Sequence, residues 1–170
     1  MFTLTNTSKS ARNLAATLIT AKRVPVFDMD GVFANATHRQ ICNPDGSLNL
    51  DKYREMSTLE HIMRDEVLPL IEAIHVLQEN EAEFHICTAR VMCNNTLAWL
   101  EANNVKPKSI MARCSDTDSR KDYHLKTTNL QSRFNHKQLL NMVLIDDNMD
   151  NCKAAKRLGM AAINVPFEGH

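Results

Sequence analysis

Residues 24–34 read VPVFDMDGVFA. Val24, Val26 and Phe27 are β-branched or aromatic and lack a helical period, so the run reads as a strand buried on both faces. Asp28 then falls at its carboxyl end, with Asp30 and Gly31 directly behind it. In open α/β sheets that edge binds ligands, because crossover loops converge there and helix amino termini point at it. Two neighbouring carboxylates repel unless something positive sits between them. A hard cation such as Mg²⁺, which takes carboxylate and carbonyl oxygens, is the simplest candidate. A solvated turn is the alternative, since Asp and Gly are common turn residues, and the rest of the chain has to decide.

The chain has 170 residues, the length of one domain, enough to bury on the order of 70% of its unfolded surface. Its five cysteines form no C-x-x-C pair and several sit in apolar runs. They read as reduced residues of a cytoplasmic protein, and none has the spacing of a zinc finger. Lys and Arg total 20 and so do Asp and Glu, so no global basic field draws in nucleic acid and an anionic substrate must be held locally. No apolar run has the length of a membrane span, and no stable protein partner is expected. The segment before Asp28 has no acid but carries Lys9, Arg12, Lys22 and Arg23, a composition shared with transit peptides and basic nucleic-acid arms. Against that reading, Ala11, Leu14, Ala15, Leu18 and Ile19 form a stripe at helical spacing. The expectation is a helix within residues 1–23 docked on a domain of residues 24–170.

Residues 33–63 are polar and irregular, with a turn at Asn43-Pro44-Asp45-Gly46. Pro69 fits the first turn of a helix whose Leu70, Ile71, Ile74 and Leu77 face inward. Phe84, Ile86 and Cys87 form a strand ending at Thr88. A helix over about 95–103, a strand at 109–112, a polar helix from about 120 to 134 and a strand at 142–145 ending in Asp146-Asp147 follow. A helix through Cys152, Ala155 and Leu158 stops at Gly159, and a strand over 161–165 closes the series. Strands alternating with helices predict an α/β fold with a mostly parallel, Rossmann-like sheet.

Polar groups thus stand at Asp28 and Asp30, at Thr88, at Lys121 and at Asp146 with Asp147 and Asp150. Their order resembles the haloacid dehalogenase-like (HAD) phosphohydrolases: D-x-D-G, a strand ending in Thr, a Lys at a helix start, a strand ending in D-D. The resemblance spans residues 24 to about 165 and implies a three-layer sandwich with a minimal cap or none. It implies that Asp28 attacks phosphorus to form an aspartyl-phosphate, while Asp30 protonates the leaving oxygen and later activates water. Mg²⁺ would be held by the Asp28 carboxylate, the Asp30 carbonyl and Asp146, with Asp147 or Asp150 holding its water. Thr88 and Lys121 would bind the phosphoryl group. On the residues alone, Thr88 also suits a helix cap, Lys121 a solvated surface and Asp150 the first turn of a helix.

Three segments narrow the resemblance: DGVFANATHR ending at Arg39, ICTAR ending at Arg90, and SDTDSRKD with Asp118 and Arg120 beside Lys121. They are similar to the 3′-phosphatase domain of bacteriophage polynucleotide kinase-phosphatases, which implies that Arg39, Arg90, Asp118 and Arg120 support the substrate phosphate. Val32 and Ala89 depart from that domain's usual Thr and Gly. The four glycines, Gly31, Gly46, Gly159 and Gly169, are too scattered for a phosphate-cradling kinase loop. The expected activity is Mg²⁺-dependent phosphomonoester hydrolysis at a polynucleotide 3′ end, with a small-molecule nucleotidase or sugar-phosphate phosphatase as the alternative. A catalytically silent phosphate-binding module would be expected to lose Asp28 or Asp30, and both are present. A response-regulator receiver has the acidic pair first, and a D-x-D glycosyltransferase lacks the matched Thr, Lys and D-D.

Overall fold

The computed structural model describes residues 2–46, 48–115 and 117–167. A six-stranded sheet runs β1 (Phe2–Thr3), β8 (Ala161–Asn164), β7 (Met142–Asp146), β2 (Val24–Phe27), β5 (His85–Val91), β6 (Ser109–Arg113), with every pairing parallel. Alternation along the central strands divides the core in two. Phe27, Ile86, Val143 and Ile145 face one layer, where Ala11, Leu14 and Leu18 of α1 (Ser8–Thr20), Ile74 and Leu77 of α4 (Ile71–Glu79) and Trp99 of α5 (Asn94–Ala102) are buried. Val26, Cys87, Met142 and Leu144 face the other, against Leu130 of α6 (Asp122–Arg133), Leu139 of α7 (His136–Leu140) and Cys152 and Ala155 of α8 (Met149–Arg157). The sheet is covered on both faces, as a parallel sheet must be.

The acid-free amino-terminal segment is part of this body. Thr7 caps α1 by accepting from the Ser10 N–H, and the inward stripe of the helix lies against α4. Ahead of it, β1 extends the sheet beside β8, an element too short to carry a sequence signal. No described helix is long and apolar enough to cross a membrane.

The region read as irregular is a small insert. Ala34–Asn35 (β3) pairs antiparallel with Glu66–Val67 (β4). Between them lie a 3₁₀ turn at Thr37–Arg39 and two short helices, α2 (Leu50–Glu55) and α3 (Leu59–Ile62). Its two stems are held together: the Leu68 N–H donates to the Phe33 carbonyl at 3.0 Å. Asn6 joins both, donating to the Val32 carbonyl and accepting from the Leu70 N–H, each at 2.9 Å.

Candidate active site

Parallel register brings the acids together. Phe27 lies opposite Ile145, so Asp28 and Asp146 leave adjacent strands at the same height, and the Asp28 N–H donates to the Ile145 carbonyl at 2.8 Å. Carboxylate oxygens of Asp28, Asp146 and Asp147 lie within 4.8 Å of one another. Lys126 projects between the first two, with Nζ 2.7 Å from Asp28 Oδ2 and 2.7 Å from Asp146 Oδ2. Three carboxylates and one ammonium leave two negative charges, the complement of a divalent cation. Burial, aided by the charges of Asp146 and Asp147, raises the Asp28 carboxyl well above the usual range despite Lys126. Lys126 is itself desolvated, yet Asp146 and Asp28 more than offset this and keep it firmly protonated.

The donor set fits a metal on an observation of the site itself. Asp28 Oδ1 is buried and has no hydrogen-bond partner among the described residues, which leaves a costly unmet acceptor unless a ligand meets it. Asp146 is oriented by the Asn148 N–H and the Asn151 side chain, each donating to Oδ1 at 2.9 Å. That leaves a lone pair of its carboxylate for a cation. All donors are hard oxygens, the preference of Mg²⁺.

Gly31 is required twice. Its φ is +72°, and a Cβ there would meet Asp147 Oδ2 at 2.4 Å. Gly31→Ala should therefore displace Asp147 as well as strain the backbone by about 1 kcal/mol. Mg²⁺ titrations followed by thermal shift should show affinity weakened by about tenfold or more; an unchanged titration would remove Asp147 from the metal's surroundings.

Thr88 is buried on β5, accepting the Arg90 N–H at 3.2 Å. Its own hydroxyl hydrogen has no acceptor among the described residues. Lys121 does not join this cluster. Helix α6 begins at Asp122, so Lys121 stands at the cap position and is exposed, whereas Lys126, one turn further on, points at the sheet and is 2% exposed. The resemblance implies a phosphate-binding lysine at the helix start, Lys121; the lysine that the fold brings to Asp28 and Asp146 is Lys126, inside the helix. Asp150 is exposed and pairs with Lys153 at 3.2 Å, as a first-turn helix acid; its neighbour Asn151 is the residue that reaches Asp146.

The arginines depart furthest from expectation. Arg39, 1% exposed, forms a two-point contact with Asp65, Nε to Oδ1 at 2.8 Å and Nη2 to Oδ2 at 2.9 Å, and its guanidinium lies 4.8 Å from the centre of the Tyr53 ring. Arg90 is also buried. Its Nε donates to Asp30 Oδ2 at 2.8 Å, and its Nη2 bridges Asp30 Oδ1 and Asp65 Oδ2. Both were expected to face substrate phosphate; instead buried carboxylates hold them, the cheapest way to bury a guanidinium. Arg90 Nη1 is buried without a hydrogen-bond partner among the described residues. Burial would raise the Asp30 carboxyl, but the charge and hydrogen bonds of Arg90 prevail and hold it below the usual range. Asp118 and Arg120 pair with each other, Nη2 to Oδ2 at 2.6 Å, and those hydrogen bonds lower Asp118 to about 2. Arg113 anchors their loop beside Thr88, donating to the carbonyls of Ala89 at 3.0 Å and Arg120 at 3.0 Å.

The chain matches the family model of the bacteriophage T5 5′-deoxynucleotidase over residues 12–166. It is 31% identical over 88 residues to the 5′-deoxynucleotidase of Escherichia phage T5, a stretch spanning 49% of this chain and 36% of that protein. Among solved structures it resembles a chain of the Pnkp1/Rnl/Hen1 complex, at 16% identity and TM-score 0.65 over 85% of this chain and 46% of that one. CbbY from Rhodobacter sphaeroides in complex with phosphate is similar at 14% identity and TM-score 0.57, over 86% of this chain and 87% of that one. A HAD-family enzyme from Bacteroides thetaiotaomicron, in a magnesium complex, is similar at 14% identity and TM-score 0.55, over 87% and 94% of the two chains. The fold is that of the HAD phosphatases, and the chain belongs to the bacteriophage T5 5′-deoxynucleotidase family.

Proposed function

We propose that the chain is a Mg²⁺-dependent phosphomonoester hydrolase of deoxynucleoside 5′-monophosphates, with Asp28 as its nucleophile. The observation that carries the reaction class is the unpartnered, buried Asp28 Oδ1 among Asp146, Asp147 and Lys126. The substrate class is supported by the family match.

Asp28 attacks phosphorus and the ester P–O bond breaks, leaving an aspartyl-phosphate. Lys126 and the Thr88 hydroxyl meet the charge on the phosphoryl oxygens. Asp30 gives a proton to the departing alkoxide and then takes one from the water that hydrolyses the intermediate. Arg90 keeps Asp30 ionised in the free protein; the incoming phosphate dianion raises its proton affinity, and Asp30 takes up from solvent, as substrate binds, the proton that it then donates. Bound Mg²⁺ supplies the neutralising charge that lets anionic nucleophile and anionic substrate approach.

A polynucleotide 3′ end is the second reading. The small insert favours it, since the described residues form no separate cap domain to enclose a small ester. The burial of Arg39 takes away the arginine that would have gripped a neighbouring internucleotide phosphate. Phosphate release from deoxynucleoside 5′-monophosphates, 3′-mononucleotides, sugar phosphates and 3′-phosphorylated oligonucleotides, each with Mg²⁺ and with chelator, separates the two. The 5′-monophosphates should give the highest kcat/KM, and chelator should stop every reaction. A preference for 3′-phosphorylated oligonucleotides would overturn the nucleotidase reading, and full activity in chelator would overturn the metal's role. Metal bound only to the native state should also raise stability, by about 2.7 kcal/mol at a hundredfold excess over its dissociation constant.

A further inference from the structure

Asp65 lies in the turn between α3 and β4, outside every motif of the proposed chemistry, and its side chain is wholly buried. Its backbone is fixed: the N–H donates to the Ile62 carbonyl at 3.0 Å, and the carbonyl accepts from Trp99 Nε1 at 3.0 Å. Its carboxylate accepts from Arg39 through both oxygens and from Arg90 Nη2 at 2.8 Å. The insert therefore places one buried anion between two buried guanidinium groups that would otherwise repel. Arg90 Nη2 is shared between Asp65 and Asp30, so the contact with Asp65 sets the plane of the guanidinium. A two-point guanidinium–carboxylate contact is coplanar, and the plane of Arg90 in turn sets that of Asp30.

We propose that Asp65 is a positioning residue that locks Arg90 and, through it, aims the Asp30 carboxyl at the leaving oxygen of the substrate. The insert then does more than border the site, because it contributes the charge on which the acid's orientation depends. This inference rests on Asp30 being the proton donor of the proposed reaction.

The leaving group separates positioning from a merely structural role. Deoxythymidine 5′-monophosphate releases an alkoxide that needs a proton, whereas p-nitrophenyl phosphate releases a phenolate that does not. With saturating Mg²⁺, Asp65→Asn should lower kcat/KM for the nucleotide at least about tenfold more than for the nitrophenyl ester, part of the roughly 10²–10⁴-fold effect of general acid–base catalysis. A residue needed only for folding would change the amount of active protein and lower both equally. Asp30→Asn, measured beside it, tests the underlying reading. A selective loss in Asp30→Asn with an equal loss in Asp65→Asn overturns the inference alone, whereas an equal loss in Asp30→Asn removes the acid role and the inference with it. If Asp65→Asn does not fold, Asp65→Asn combined with Arg39→Met removes one buried charge of each sign while still freeing Arg90. The same selective loss is expected there, and an equal loss on both esters would overturn the inference.

Discussion

Asp28→Asn should abolish phosphate release, with kcat lower by about 10⁴-fold or more, the scale on which loss of a covalent nucleophile acts. The amide has nearly the shape of the carboxylate and still offers an oxygen to Lys126, so the far-ultraviolet circular dichroism should be unchanged. Stability in chelator gives a second readout. The native Asp28 carboxyl is raised above its unfolded value, chiefly by burial, so its contribution is fully present below about pH 4, the unfolded value, and is lost as pH rises through the native one. Thermal scans of the metal-free wild type should therefore show that loss on going from acid to neutral pH. Asp28→Asn should lack it, and Mg²⁺, which favours the ionised form, should reverse it in the wild type. Residual turnover near the wild-type rate would remove Asp28 from the reaction.

Lys126→Met should be the most destabilising single change in the site. It leaves Asp28, Asp146 and Asp147 facing one another without the ammonium that lies 2.7 Å from two of them. Breaking a buried charge pair from one side costs about 3–5 kcal/mol, and denaturant titration in chelator should show a loss of that size. Mg²⁺ should recover part of it, because a cation relieves the same repulsion, while activity should stay low for want of a charge on the phosphoryl group. Lys121→Met, at an exposed helix cap, should alter stability by no more than about 0.5 kcal/mol and leave turnover near wild type. The opposite ranking of the two lysines would return the role to Lys121.

The two lysines show where the sequence is legible and where it is not. The ends at Asp28 and Asp146 were readable because short apolar runs closing on an acid leave little choice of phase, and parallel register then aligns them; β5 instead runs past Thr88 to Val91, which still pairs with β6 beyond an irregularity in the register. A helix start is known only to a few residues, and an exposed Lys121 beside a charged turn masked the better signal. Lys126 sits four residues before Leu130 and next to Leu125, on the face that the helix buries, and a lysine on an apolar stripe needs a buried anion to meet it.

Asp65 carried no such mark. It follows an exposed Glu60–Arg64 pair in a segment without period, and tertiary contacts, the β3–β4 pairing and the Trp99 hydrogen bond to its carbonyl among them, bring it to Arg39 and Arg90. Arg39 and Arg90 read in the sequence as supports of the substrate phosphate, but burial turns them to the protein's own carboxylates, which meet guanidinium groups shut off from water. The stripe at helical spacing, Ala11, Leu14, Ala15 and Leu18, is the buried face of α1, whereas β1, two residues long, depends on its neighbour β8.

If Asp28 is the nucleophile, it becomes phosphorylated during turnover. Wild-type protein mixed with Mg²⁺ and a deoxynucleoside 5′-monophosphate should be quenched in acid within a single turnover, digested, and its peptides weighed by mass spectrometry. A transient phosphoryl group should appear on the Asp28 carboxyl, rising and decaying with the burst of nucleoside and absent from Asp28→Asn. Turnover with no phosphoryl-enzyme at any quench time, or a phosphoryl group on another residue, would contradict it.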